Sequence, residues 1–181
     1  RKACAKMKGI IAKLLFYARD SANRKESTDL NHVVRDTLDF IGSQIRLENI
    51  QLESHTENLP PVSANQNEIQ QILINLINNA KDALLASPES PQRIELRTFA
   101  EEHHCVLHVR DYGPGISEDK AARIFEPFFT TKPVGQGTGL GLSVSLQLAH
   151  QNGGSLSLVM HSGPGALFEL RLPRLDPTQE D

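Results

Sequence analysis

The run NEIQQILINLINNAKDALLA, residues 67–86, decides how this chain folds. Its Ile69, Ile72, Leu73, Leu76, Ile77, Ala80, Ala83 and Leu84 recur at spacings of three and four, as in a helix buried along one side. Projected at ~100° per residue, Glu68, Asn75, Asn79 and Asp82 gather in a narrow polar arc bordering that stripe. An arc that touches the stripe lies at the margin of the core, where a ligand or metal would sit. Asparagine competes for backbone hydrogen bonds, so Asn75, Asn78 and Asn79 weaken the helix that carries them. A solvated helix face would explain them without a function. A divalent cation bridging to phosphates would explain them with one, because a neutral amide oxygen serves Mg²⁺ without repelling a nucleotide.

After this helix, Ser87 to Pro91 reads as a turn, and Arg93 to Phe99 and Cys105 to Arg110 as strands joined by the polar Glu101-Glu102-His103-His104. His104 and His108 would share one strand face, yet the sequence offers them no third metal ligand. The second strand runs into Asp111-Tyr112-Gly113-Pro114-Gly115. An acid at a strand end, followed by glycines that let the backbone bend away, leaves a carboxylate aimed into a cavity, suited to the exocyclic amine of adenine. A plain turn explains the same residues. Ser117 to Ile124 follows as a short helix, and FEPFFTTK from Phe125 reads as a hydrophobic latch. GQGTGLGL from Gly135 then leads into an apolar helix, Ser143 to His150. Glycines just ahead of a helix N-terminus expose N–H groups and the positive end of the dipole, a ready anion site. A flexible loop is the alternative, and the spacing fits neither a Rossmann fingerprint nor a P-loop, since Lys132 precedes the glycines. Gly153-Gly154 ends the helix, and Ser155 to Met160 pairs with Ala166 to Leu172 as a hairpin.

Upstream, Leu30 to Glu48 forms a second amphipathic helix, with Val33, Val34, Leu38, Ile41 and Ile45 inward and Asp29 or Asn31 as cap. Ile50 to Glu57 alternates as a half-buried strand does and is stopped by Leu59-Pro60-Pro61. His32 and His55 read as solvated or satisfied histidines. Residues 1–22 carry a heptad-like stripe of Met7, Ile10, Ile11, Leu14 and Leu15, and the polar residues 23–29 read as a linker. A helix beyond a hinge needs a partner to bury its stripe, so helical dimerisation is expected. The 181 residues suit one domain, residues 30–175, with that appendage and a short tail at 176–181. A formal net charge of −3 argues against nucleic-acid binding, and no apolar run approaches the ~20 residues of a membrane span. Cys4 and Cys105 alone make no disulfide framework and point to a reducing, cytoplasmic compartment. The chain opens at Arg1 and reads as a piece of something longer.

In order and at these separations, the segments resemble the catalytic, ATP-binding domain of sensor histidine kinases, within the gyrase, chaperone, MutL and histidine-kinase ATPase superfamily. NLINNAKDA from Asn75 resembles the N box, DYGPG from Asp111 the G1 box, FEPFFTTK the F box and GQGTGLGL the G2 box. GPGALFEL from Gly163 is similar to the last glycine motif, and the whole leans towards the nitrogen-regulatory type. The resemblance implies a Bergerat-type α/β (α+β) two-layer sandwich, a mixed sheet with helices on one face. By position it implies that Asn79 holds Mg²⁺ and that Asn75 stands beside it on the phosphate side, the two forming the catalytic pair. Asp111 would read the adenine amine, with Gly113, Gly115 and Ile116 shaping that pocket. The backbone of Gly137, Thr138, Gly139, Leu140, Gly141 and Leu142 would cradle the phosphates. Thr130, Thr131 and Lys132 would belong to a mobile lid, with Lys132 a candidate phosphate contact. Asp82 lines the same site where some members carry a basic phosphate contact, and its role stays open.

ATP-hydrolysing branches of the superfamily place a glutamate one helical turn before the metal-binding Asn, where this chain has Asn75. An amide cannot act as a general base. The sequence therefore favours transfer of the γ-phosphoryl to a nucleophile brought from elsewhere over hydrolysis by a conformational ATPase, and its intact glycine boxes argue against a non-catalytic nucleotide sensor. The family's acceptor histidine, followed by an acidic residue on the first helix of a dimerisation hairpin, has no counterpart among the seven histidines. Residues 1–22, including IIAKLLFYAR, resemble the end of that hairpin's second helix. The partners so implied are the rest of the dimerisation and phosphoacceptor region, a second copy of the parent chain, and the receiver domain of a response regulator. Any membrane anchor would lie in the parent, outside this sequence.

Overall fold

The computed structural model describes residues 25–133 and 137–175. The dimerisation helix expected at 1–22, the tail at 176–181, and Gly135 and Gln136 of the glycine motif lie outside the described residues. Within them the elements are β1 (Glu26–Thr28), α1 (Leu30–Leu47), β2 (Gln51–Thr56), β3 (Val62–Ala64), α2 (Gln66–Leu85), β4 (Arg93–Ala100), β5 (His104–Asp111), α3 (Glu118–Ala121), α4 (Gly141–Gln151), β6 (Ser155–Val159) and β7 (Leu167–Pro173). The main sheet runs β2-β4-β5-β7-β6; β2 is parallel to β4 and every other pair is antiparallel, so the sheet is mixed, as expected. Among the described residues no helix is long and apolar enough to cross a membrane.

Helices α1, α2 and α4 cover one face of this sheet, and the period-2 alternation of the strands supplies the other half of the core. Leu96 of β4, Leu107 and Val109 of β5, and Phe168, Leu170 and Leu172 of β7 point at the helices and are buried. From α2, Ile69, Ile72, Leu73, Leu76, Ile77 and Leu84 meet them, all essentially inaccessible to water. At roughly 1.5–3 kcal/mol per buried side chain, the stripe outweighs the few tenths of a kcal/mol that each asparagine costs the helix. The opposite face carries Arg97, His108 and Glu169 side by side across three strands, with His108 Nε2 and Glu169 Oε2 2.8 Å apart. His108 is thereby engaged by a carboxylate, and the notion of a His104–His108 metal pair has no further ligand among the described residues.

Two local expectations differ from the structure. The polar stretch before Leu30, expected as linker, contains β1, which pairs with β3; Thr28 Oγ1 also donates to the Ala64 carbonyl at 2.8 Å. Three-residue strands are too short to show a period, and β3 begins immediately after the two prolines. The short helix expected over Ser117 to Ile124 is helical only from Glu118 to Ala121 and continues as turns. In that stretch only Ile124 is buried, too little to offset the cost of nucleating a longer helix.

Candidate nucleotide site

Helix α2 starts at Asn65, whose side chain accepts from the N–H groups of Asn67 and Glu68. It lies antiparallel to α4, because its start is tied to the end of α4 and its middle to the beginning. At the first tie, Asn152, 1% exposed, accepts from Asn65 N at 2.7 Å and donates to Glu68 Oε2 at 2.7 Å. Glu68 is thus a structural partner of Asn152, although its place in the helical arc suggested a ligand. The arc is divided by the crossing of α4, which closes over its first turn. At the second tie, Asn75 Nδ2 donates to Ser145 Oγ at 3.2 Å and to the Gly141 carbonyl at 3.4 Å, while Gln71 Nε2 donates to Asn75 Oδ1 at 3.2 Å. Asn75 fixes the first turn of α4 against α2. Ser145, fully buried, is a site residue that the sequence reading missed: a serine inside an apolar helix was its only signal.

Beyond these ties the seam opens. Asn79 is half-buried on the same face and its amide has no protein partner among the described residues. Leu140, at the N-cap of the eleven-residue α4, provides no side-chain cap. The first N–H groups of the helix thus have no acceptor among the described residues, and the positive end of the helix dipole stands behind them. Gly139 can approach this corner because it has no side chain: a Cβ there would fall 2.4 Å from the Phe128 carbonyl carbon, and Phe128 N donates to Gly139 O at 2.9 Å. Thr138 Oγ1 accepts from Leu140 N, and Leu142 is half-buried against the core.

Asp111 stands at the end of β5, placed on the core side by the same alternation that turns Arg110 and Tyr112 outward. It is 4% exposed, and its Oδ1 accepts from Gly113 N at 2.9 Å and Ala166 N at 3.2 Å. Burial pushes its carboxyl above the ordinary carboxylate range, against the opposing effect of those two hydrogen bonds and of nearby Arg110 and His161. A Cβ on Gly113 would crowd Asp111 Oδ1 at 3.1 Å and reach ordinary contact with Ala83 of α2, so the Asp111 loop borders the last turns of that helix. At Gly165, with φ of 84°, a Cβ would meet the Asp111 carbonyl oxygen at 1.8 Å. The two glycine loops therefore pack backbone to backbone, with Gly115 against Gly165 and Ile116 packed on the core.

Along α2, then, Asn75 meets the start of α4, Asn79 has no partner among the described residues, Asp82 meets Lys132 Nζ at 2.5 Å, and Ala83 lies beside the Asp111 loop. From Asn75 to Ala83 is about 12 Å of helix, which separates an uncapped helix end suited to phosphates from a buried carboxylate suited to an amine. Thr130 and Thr131 are exposed; Thr130 Oγ1 accepts from Lys132 N, and a Cβ on Gly137 would crowd it at 2.7 Å. For Mg²⁺ the donor set is a single free amide oxygen, and no cluster of three His, Cys, Asp or Glu ligands exists among the described residues. That fits a cation held mainly by waters and phosphate oxygens rather than by a protein cage.

A family model described as "Histidine kinase-, DNA gyrase B-, and HSP90-like ATPase" matches residues 64–176. The C4-dicarboxylate transport sensor protein DctB of Pseudomonas aeruginosa is 38% identical over 168 residues, which cover 92% of this chain and 27% of that protein. The chain thus spans well under half the length of that curated relative. The solved catalytic domain of histidine kinase ThkA superposes with a TM-score of 0.72 at 30% identity, over 83% of this chain and 95% of the other. The complex of histidine kinase ThkA with response regulator protein TrrA matches 98% of this chain and 50% of the other, with a TM-score of 0.75 and 26% identity.

Proposed function

We propose, since this chain belongs to the family of histidine kinase-, DNA gyrase B- and HSP90-like ATPases, that it is the ATP-binding catalytic domain of a two-component sensor kinase. In this reading it presents the γ-phosphoryl of ATP to a histidine on another segment, for relay to an aspartate of a response regulator. One observation carries the choice of transfer over hydrolysis. Where a water-activating carboxylate would have to stand, the chain has Asn75, an amide whose nitrogen is committed to Gly141 and Ser145. It can take no proton from water. The two acids on the same helix face are both engaged, Glu68 by Asn152 and Asp82 by Lys132.

The residues then divide the work. Asp111 accepts a hydrogen bond from the adenine amine, and Gly113 leaves room for the ring. The N–H groups at the start of α4 bind phosphate oxygens, aided by the dipole. Asn79 offers its amide oxygen to Mg²⁺, which when bound would supply positive charge at the phosphates. Holding these groups in a fixed frame aligns the terminal phosphoryl for attack from outside, and positioning with electrostatics accounts for most of such catalysis.

The test is calorimetry with ATP in the presence of Mg²⁺ and of EDTA, together with phosphate release. We expect Mg²⁺-dependent binding, little phosphate released, and no acid-labile phosphate on the chain itself. Asn79→Ala should lose roughly tenfold in affinity with Mg²⁺ present, about 1.4 kcal/mol, and little without it. Brisk steady-state hydrolysis would instead favour a conformational ATPase. A variant that matched the unaltered chain both with Mg²⁺ and with EDTA would remove Asn79 from the metal.

A further inference from the structure

A carboxylate beside a polyphosphate site is a liability, and α2 has one. Asp82 lies one turn beyond Asn79 on the helix face that borders the site, with its side chain 40% exposed. Like charges at such a distance weaken binding wherever water and salt do not fully screen them. Lys132 answers it across the opening: Nζ donates to Asp82 Oδ2 at 2.5 Å, with the lysine side chain 31% exposed. The lysine is set up for this contact. Its backbone N–H donates to Thr130 Oγ1 at 3.2 Å, which fixes the turn, and Gly137 lets its aliphatic stem pass close by, within 3.3–3.4 Å of where a Cβ would stand. An ammonium has three donors. Asp82 uses one, and the others have no partner among the described residues, which leaves them able to meet anionic oxygens.

We propose that Asp82 is a positioning residue for Lys132, and that the two act as one neutral unit. The carboxylate holds the ammonium over the open part of the α2 face, and the ammonium hides the carboxylate from the phosphates. The inference rests on the nucleotide reading above and adds to it an acid that assists the binding of an anion. It also makes an unusual demand: removing the lysine alone must harm more than removing both residues.

The experiment is a double-mutant cycle on Mg²⁺–ATP affinity, with AMP as the probe carrying less charge and melting temperature as the folding control. Lys132→Ala, which bares the acid, should lose about tenfold for ATP and less for AMP, and its deficit should shrink at ~1 M salt, where the screening length falls to ~3 Å. Asp82→Ala should lose a few-fold, because the lysine is no longer held. The double variant should recover to within about threefold of the unaltered chain, and Lys132→Arg should keep most of the affinity. A double variant as weak as Lys132→Ala would make the lysine a lone phosphate contact and overturn the proposal. Three variants indistinguishable from the unaltered chain would reduce the pair to an ordinary surface ion pair and overturn it too. Failure of the unaltered chain to bind Mg²⁺–ATP at all is a separate result, which overturns the nucleotide reading and this inference with it.

Discussion

The seam between α2 and α4 has two ends built from similar residues to opposite effect. At one end Asn152 is buried and every polar atom of its amide is used: Oδ1 by Asn65 N, Nδ2 by Glu68 Oε2 and the Leu148 carbonyl. At the other, Asn79 on α2 is only half-buried, and the first N–H groups of α4 have no side-chain cap. A buried polar group costs stability unless it is bonded, so the closed end must be satisfied by protein, whereas the half-buried groups of the open end have no protein partner among the described residues and, in the proposed function, meet the nucleotide. The contrast separates residues that hold the helices together from residues to which the proposed function gives a ligand.

The sharpest way to break it is at the closed end. Asn152→Ala strips Asn65 N and Glu68 of their buried partner and should cost about 3 kcal/mol of folding stability, given ~1–3 kcal/mol for each buried group left unmet. A urea titration measures this. The folded fraction should bind ATP as before, because no atom of the closed end reaches the open one. A loss of affinity in proportion to the loss of stability would show the two ends to be one coupled unit.

How much of this was legible beforehand follows from the range of each interaction. The stripe of α2 and the alternation of β4, β5 and β7 are periodic, and the glycine corners sit at turns whose residues announce them. The sandwich that joins them comes with the resemblance to the histidine-kinase family, whereas the separate elements and the position of Asp111 at a strand end could be read from order and spacing. Asn79 could be placed for the same reason. Glu68 could not, because its partner Asn152 lies 84 positions away, and the helical wheel knows nothing of what crosses a helix. Asp82 and Lys132 meet across 50 positions and escaped for that reason, which left the role of Asp82 open. Ser145 is an unremarked serine until Asn75 is seen to donate to it. The pairing of β1 with β3 is made of segments too short for any period to show.

At the open end, Asp111→Asn should trade function for stability. Gly113 N and Ala166 N both donate to Oδ1, so an amide placed there keeps its oxygen on them and turns its NH₂ into the pocket. A donor would then face the adenine amine, itself a donor. Adenine over guanine selectivity should fall by about tenfold or more, since a site built to accept a hydrogen bond is left mismatched. Competition between ATP and GTP reads this directly. Stability should move the other way. Burial holds the Asp111 carboxyl above its ordinary range, so the folded state binds that proton more tightly than the unfolded state does. Its contribution to stability is full at low pH and is lost as pH rises through the folded-state value. The variant's advantage in urea should therefore appear above that range and vanish below it. A gap that is constant with pH would mean that the carboxyl is not perturbed.

The smallest expected effect concerns the corner beside the α4 cradle. Phe125 and Phe129 pack against the core, but Phe128 is 73% exposed and sits at φ of 68°, a left-handed conformation that costs a residue bearing a Cβ about 1–2 kcal/mol. Little burial offsets that cost, since most of the ring lies in water. The segment adopts this shape because Phe128 N donates to Gly139 O while Gly139 fits under the Phe128 backbone, which fixes the approach to the first turn of α4. Phe128→Gly keeps that hydrogen bond and removes the strain, although glycine gives back part of the gain through its freer unfolded chain. A net stabilisation of a few tenths to about 1 kcal/mol is expected. If the variant were instead destabilised by as much as a buried phenylalanine would be, Phe128 would be part of the packing, and the open end would hold less unspent strain than its geometry indicates.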